Sequence, residues 1–439
     1  MLPITSDASL VERPLEATLF RRSAGPISAA AFLCDAHAAA AALPDGQHVI
    51  NLCRDRYAFA VVFAAALLRG QVCLMSGDLS PGGVAGLAAR YPNTVAACDD
   101  PVLTLDLPMV LVTPAGRDTG PSSNPAIPAE QLAAIVFTSG STGTPVPHRK
   151  HWGALAERSR AAGLRFGLHE AEPSTVIGTV PPHHMYGLET TVLLPLHAAA
   201  SSWCGRAFFP GDVRAALAMV PAPRILVTTP LQLRGLQDVA LPDLQSCISA
   251  TAPLDPALAL AAEMRWHAPV LEIFGATEAG SIASRRTTDG DGWTLYPGIH
   301  LTHGTDATAV HAPGAGLVEL SDQLEPMAGG FRLLGRRSDI VKLGGRRASL
   351  SGLNSILTAL DGVADGTFVV PDDVDQRSTA RLMAVVVAPS RTTPGILADL
   401  RQRIDPVFLP RRVVQVDALP RNELGKLPRQ ALLALLARA

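Results

Sequence analysis

Apolar residues fall along this chain in runs of two lengths, separated by Gly, Pro, Ser and charged positions. Val49–Leu52, Val72–Met75, Leu132–Phe137, Thr175–Val180 and Arg224–Thr229 are short, as buried strands are. Ser28–Ala42, rich in alanine, and Tyr57–Leu68 are long enough for helices, the second bounded by Arg56 and Arg69 and stopped at Gly70. Strand and helix in turn predict a parallel sheet with helices on its faces. Pro114–Pro128, dense in Pro, Ser and Gly, reads as a loop, and Trp152–Gly167 as a helix. From Ser281 to Leu334 the runs shorten between Gly and Pro, which predicts antiparallel strands of a small sheet or barrel. Beyond residue 340, strands at Gly366–Val370 and Met383–Ala388 stand among helices at Leu350–Ala359 and Gly395–Ile404, the pattern of a small α+β domain.

Composition narrows the class. At 439 residues the chain is too long for one ordinary core, so two or more domains are expected. A hydrophobic content of 48% leaves ample material to bury, and a net charge of −2 argues against a nucleic-acid binder. Arg-Arg pairs such as Arg285-Arg286 and Arg411-Arg412 are scattered along the chain, as solvated surface residues usually are. The six cysteines show no C-x-x-C spacing, which suits a thiol-reducing compartment and gives no zinc pattern. No apolar signal core stands behind a basic start, and Tyr57–Leu68 is too short to span a bilayer. A soluble, cytoplasmic protein without a membrane span is expected.

The chemistry concentrates after Leu132–Phe137, where the strand breaks into Thr138, Ser139, Gly140, Ser141, Thr142, Gly143 and Thr144. Glycine lets main chain approach a ligand, and each hydroxyl adds a donor beside a free N–H, a mixture suited to a polyphosphate. A polar hairpin turn is the plainer alternative. A Walker loop is excluded because no Gly-Lys-Ser/Thr follows, and with it a P-loop ATPase or kinase. Nor do Gly140 and Gly143 frame the Gly-x-Ser-x-Gly of a nucleophile elbow. Further along stand Pro181-Pro182-His183-His184-Met185-Tyr186-Gly187 after one strand and Ser249-Ala250-Thr251-Ala252-Pro253 after another. Phe274-Gly275-Ala276-Thr277-Glu278 ends a third, and Glu278 is a hard oxygen donor of the kind Mg²⁺ takes. Leu320-Ser321-Asp322, Gly335-Arg336-Arg337-Ser338-Asp339, Gly344-Gly345 and Leu419-Pro420-Arg421-Asn422-Glu423-Leu424-Gly425-Lys426 complete the set.

In this order the motifs resemble those of the adenylate-forming superfamily, which comprises acyl-CoA synthetases, aryl-acid ligases and adenylation domains of peptide synthetases. The resemblance runs from Thr138 to Arg429. It implies an α/β fold: a large N-terminal domain of parallel-sheet subdomains with a small β-barrel-like region over residues 1–335, a hinge at 336–339, and a mobile small α+β domain over 340–439. It implies that residues 138–144 grip the phosphates of ATP and that Thr251, Ala252 and Pro253 wall the adenine. Phe274 would face the purine, with Gly275 and Ala276 close to the acyl-phosphate and Thr277 on the α-phosphate. Glu278 would hold Mg²⁺, Asp322 the ribose hydroxyls, and Arg336 ribose or phosphate. His184 would lie between the carboxylate pocket and the thiol channel, with Tyr186, Gly187, Thr228 and Ala250 as pocket wall, while His183 reads as structural. Ser338 and Asp339 would be the pivot, Gly344 and Gly345 the thiol channel, and Lys426 the cation that stabilises adenylation. Where the family has a lysine after the loop proline this chain has Val146, and the nearest cations are Arg149 and Lys150. Ser321 replaces a usual glycine, and Ser338 replaces an acidic pivot residue.

The implied activity is ATP-dependent conversion of a carboxylic acid to an acyl-adenylate, then transfer to the phosphopantetheine thiol of CoA or of an acyl carrier protein in trans. The segment Thr144-Pro145-Val146-Pro147-His148-Arg149-Lys150 is similar to compact ligases of bacterial aryl-polyene (xanthomonadin-type) pigment pathways. That likeness implies an aromatic acid such as a hydroxybenzoate. A fatty or short-chain acyl-CoA synthetase is the alternative within the class. A non-catalytic nucleotide-binding regulator of the same fold is the alternative outside it.

Overall fold

The structure is a computed structural model that describes residues 7–120, 122–138, 146–303, 308–313, 316–336, 340–343, 346–370, 382–421, 427 and 429–438. The chain divides into two compact units. The first comprises residues 1–250, 256–302 and 309–319, and the second residues 251–255, 303–308 and 320–439.

The first unit is built on two sheets. One runs in the order Val146–His151, Leu132–Thr138, Val72–Met75, His48–Asn51, Thr94–Cys98, Met109–Leu111. Every neighbour in it is parallel except the first pair, which is antiparallel with Thr138 opposite Val146. The other carries parallel strands in the order Val270–Ala276, Ser246–Ser249, Arg224–Thr228, Ser174–Gly178, Ala200–Trp203, Thr18–Arg22. Gly280–Arg286 extends it antiparallel to Val270–Ala276, so the first of the short runs after Ser281 belongs to this large sheet. Parallel strands buried on both faces lose the alternation of polar and apolar positions, which explains their near-continuous apolar runs.

The helix Arg56–Leu68 packs at the centre, with every residue from Arg56 to Leu67 buried. Asp55 caps its start, accepting from the Ala58 N–H. Gly70 ends it at φ +66°, its N–H bonded to Leu67 O and the Gln71 N–H to Ala66 O, a Schellman closure that needs a left-handed residue. At its first residue the buried Arg56 guanidinium donates to the carbonyls of Trp203 (2.7 Å), Gly178 (2.9 Å) and Val180 (3.0 Å), tying the helix to strand ends of the second sheet. Helix Ala29–Ala42 lies beside it, capped by Ser28.

In the second unit Asp322–Met327 pairs with Gly330–Arg336, and Ile340–Leu343 pairs with Arg346–Ser349. A three-stranded sheet follows, Asp365–Val369 and Met383–Val387 antiparallel and Arg412–Gln415 parallel to the latter. Helices Leu350–Thr358 and Thr393–Arg403 pack through Leu353, Leu357, Ile396 and Leu400 with Phe368, Ala384 and Val386. Val369 and Val385, on the opposite face, pack with Leu419 and Leu432. The alternation along Met383–Val387 is the period-two signature of a sheet covered on both sides by different layers. No described helix is long and apolar enough to cross a membrane, and the six cysteines are free and buried.

Candidate active site

The site residues of the first unit sit at strand ends of the two sheets. Thr138 closes the strand that leads into the Ser/Thr/Gly loop; residues 139–144 themselves (Ser139, Gly140, Ser141, Thr142, Gly143, Thr144) lie outside the described residues. The Thr138 hydroxyl shares a 3.0 Å hydrogen bond with His148 Nε2 on the antiparallel partner strand. Burial lowers the His148 pKa, with Glu278 acting in the opposite sense.

Two residues beyond His148, Lys150 is buried and its Nζ donates to the main-chain carbonyl of Glu278 at 2.9 Å. A contact across 128 positions of sequence thus joins the strand after the loop to the turn that ends the Phe-Gly-Ala-Thr-Glu motif. Burial pushes the Lys150 ammonium down to about 8, against the pull of Glu189 and Glu278, so it stays mostly protonated at neutral pH. The Glu278 side chain is exposed, and its carboxylate holds no hydrogen bond or ion pair among the described residues. Thr277 is half-buried beside it.

The strand Val270–Ala276 reaches this turn through a bulge at Phe274/Gly275. A side chain at Gly275 would place its Cβ 2.7 Å from Gly280 O, so only glycine lets the two strands close there. The Phe274 ring is buried beside Trp293, centroids 5.7 Å apart and the planes tilted by 60°.

His184 stands at the residue before the short helix Met185–Gly187 without a side-chain capping bond, its ring centroid 4.5 Å from that of His183. A Cβ on Gly77 would come within 3.3 Å of His184 Cε1. The turn after Val72–Met75 therefore borders this histidine, a neighbour for which the sequence carries no signal beyond a glycine after a strand. Gly187 is buried, and a Cβ there would fall 2.0 Å from Pro181 O, so its small size lets the helix lie against the Pro-Pro segment. The Tyr186 hydroxyl donates to Thr228 O (3.1 Å) and Ile248 O (3.0 Å), bridging the ends of adjacent parallel strands, and burial raises its pKa well above the usual tyrosine value. Thr228 and Ala250 are buried at the ends of these two strands.

In the second unit Asp322 is buried at the first position of its strand, directly opposite Arg336. The two residues assigned to the ribose and phosphate therefore share one cross-strand position, 14 residues apart. Thr251, next to Ala252 and Pro253, holds φ +82°, a left-handed conformation costly for a β-branched residue. Ser338, Asp339, Gly344, Gly345 and Lys426 lie outside the described residues.

Sequence reasoning passed over Glu189 and Arg158. Glu189 is buried on the π-helical segment Leu188–Leu193 and accepts from the Ser281 N–H (3.3 Å) and from the Ser281 hydroxyl. Arg158 is buried on the helix Trp152–Arg165 and reaches Ala279 O at 3.5 Å. The one available signal was a carboxylate inside the apolar run Leu188–Leu196. A cleft of ≈ 330 Å³, open to solvent, is lined by Lys150, Arg158, Glu189 and Gly280 among others. Among the described residues no group of three or more His, Cys, Asp or Glu gathers as a metal site.

Residues 12–310 match the family model described as "AMP-binding enzyme". The chain is 32% identical over 311 residues to a 4-coumarate–CoA ligase of Halorhodospira halophila, covering 68% of this chain and 76% of that protein. It is 30% identical over 313 residues to a 4-coumarate–CoA ligase of Rhodobacter capsulatus, with 68% and 75% covered. The ATP-bound crystal structure of MatB from Rhodopseudomonas palustris superposes with a TM-score of 0.80 over 96% of each chain at 20% identity, which speaks to the fold alone.

Proposed function

The chain belongs to the AMP-binding enzyme family, and on that premise we propose that it activates a carboxylic acid with ATP and passes the acyl group to a thiol. A carboxylate oxygen attacks the α-phosphorus, the bond to the β-phosphate oxygen breaks, and acyl-adenylate and pyrophosphate form. The acyl carbon is then taken by the phosphopantetheine thiol of CoA or of an acyl carrier protein, and AMP leaves. The observation that carries this reading is the convergence of the loop-flanking strand with the Thr277–Glu278 turn, through the 2.9 Å bond from Lys150 to Glu278 O. The segments assigned to phosphate and to metal meet there, and the Glu278 carboxylate holds no hydrogen bond or ion pair among the described residues.

Mg²⁺ keeps most of its sites for water and phosphate oxygens and takes one or two carboxylates, so a lone exposed Glu278 fits it. When bound with ATP it would neutralise charge on the phosphates. The residues of the chain do the rest. Main-chain N–H groups and hydroxyls of 138–144 hold the departing phosphates, Thr277 meets the α-phosphate, Asp322 takes the ribose hydroxyls, and Arg336 ribose or phosphate. Tyr186, Thr228 and Ala250 border the acid, with His184 at its mouth. Lys426 stabilises the charge that gathers on carboxylate and α-phosphate during attack, and a turn of the C-terminal domain about Ser338–Asp339 then withdraws it in favour of Gly344–Gly345.

An aromatic acid, hydroxybenzoates included, is the proposed substrate, supported by the coumarate ligases to which the chain is similar. ATP–pyrophosphate exchange over a panel of aromatic, fatty and short-chain acids, run with CoA and with holo-carrier protein in parallel, tests the reading. No acid-dependent exchange would overturn it in favour of a nucleotide-binding regulator. Lys426→Ala is expected to abolish exchange while thiolysis of supplied acyl-adenylate persists. Equal loss of both steps would refute the two-position account.

A further inference from the structure

Lys150, Arg158 and Glu189 are exposed by only 6%, 5% and 6%. They come from three elements: the strand Val146–His151, the helix Trp152–Arg165 and the π-helical segment Leu188–Leu193. All three converge on the main chain of one short turn. Lys150 donates to Glu278 O at 2.9 Å, Arg158 reaches Ala279 O at 3.5 Å, and Glu189 accepts from the Ser281 N–H and hydroxyl. Gly280, at φ +78°, lies so close that a Cβ would sit 2.6 Å from Glu189 Oε1 and 3.7 Å from Arg158 Nε.

Buried charge is costly, and a hairpin turn needs none to close. The side-chain hydrogen bonds of the three groups all go to this one turn. What they hold is the turn, and the turn carries Thr277 and Glu278.

We propose that Lys150, Arg158 and Glu189 form a clamp that fixes the main chain of residues 278–281 and thereby aims Thr277 and Glu278 at the nucleotide. They are positioning residues. The geometry stands by itself, while the catalytic consequence rests on the adenylation reading. The strand that supplies Lys150 also supplies His148 to Thr138, so one strand aligns the start of the loop and the turn together.

The clamp carries two positive charges and one negative. Lys150→Met removes the excess cation and leaves Arg158 with Glu189, so the fold is expected to persist with an unchanged melting temperature. Amide hydrogen exchange over 277–281 should quicken about tenfold, the loss of one buried hydrogen bond, while Ser246–Ser249 stays protected. ATP–pyrophosphate exchange should fall about tenfold or more in kcat, with the KM for the acid unchanged, and calorimetry should show weaker ATP binding. Ser281→Ala removes one donor to Glu189 while leaving all three charges in place and should give a smaller effect of the same kind, which serves if Lys150→Met does not fold. Unchanged amide exchange at 277–281, or quickened exchange with unaltered ATP binding and kcat, overturns the clamp. If the wild-type protein shows no acid-dependent exchange, the adenylation reading falls. Amide exchange and ATP affinity still judge the clamp.

Discussion

The hairpin of Val270–Ala276 and Gly280–Arg286 has charged groups at both ends, and the two ends use them differently. At the far end Glu272 and Arg285 pair with each other at 2.8 Å, Thr287 donates to Glu272, and the Arg285 guanidinium lies 4.6 Å from the centroid of Trp293. Charge meets charge, and both side chains are spent within the hairpin and the segment just after it. At the near end the charges come from elsewhere in the sequence and bond to main chain, and the hairpin's own Glu278 is left exposed. A self-contained pair stabilises a fold. At the near end the buried charges are spent on main chain, and the exposed Glu278 carboxylate holds no hydrogen bond or ion pair among the described residues, as the cation role proposed for it requires.

The comparison can be broken at either end. Glu272→Ala should cost about 3–5 kcal/mol of stability, the usual penalty for orphaning one member of a buried pair. Denaturant titration checks this, and kcat of the molecules still folded should be near the wild-type value. A large loss of kcat in that variant would erase the distinction between the ends. Glu278→Ala should do the reverse: a 10²–10³-fold loss of ATP–pyrophosphate exchange, about 3–4 kcal/mol of barrier, with stability unchanged. Destabilisation by that variant would mark Glu278 as structural.

Acid sharpens the contrast with a smaller effect. His197 packs on Trp152, the first residue of the helix that carries Arg158, with ring centroids 5.3 Å apart. Burial lowers its pKa to about 4, against 6.5 for a free histidine. The unfolded chain therefore binds the proton first as pH falls. The stabilisation held above pH 6.5 is lost progressively down to pH 4, by about 3 kcal/mol at most. Unfolding free energies at pH 7 and 4.5 should differ by less in His197→Phe, and an equal acid loss in both proteins would place the titration elsewhere.

Elements defined by local composition were legible. Asp55 and Gly70 bracket Arg56–Leu68 where the apolar run and its stop signal placed a helix, one residue off at its start. Ser28 caps Ala29–Ala42 as a residue at the edge of an alanine run should. The strand Thr18–Arg22 was not read: its residues Thr-Leu-Phe-Arg-Arg show no polar–apolar alternation, and it lies between the local partner Gly25–Ser28 and the distant Ala200–Trp203. Helix Pro256–Trp266 was missed for another reason: Leu260 and Met264 face solvent, which blurs its apolar stripe. The strands that flank residues 139–145, which lie outside the described residues, pair antiparallel, with Thr138 opposite Val146.

By itself the sequence determined the order of strands and helices, the small-residue loop and the Phe-Gly-Ala-Thr-Glu ending, because each depends on neighbours within a few positions. Only the tertiary structure decided that Lys150 would be buried against Glu278 O, that Glu189 would serve Ser281, and that Asp322 would face Arg336. A charge is judged by what surrounds it. Burial and partners for these groups are set by segments up to 128 residues distant, which no local pattern encodes.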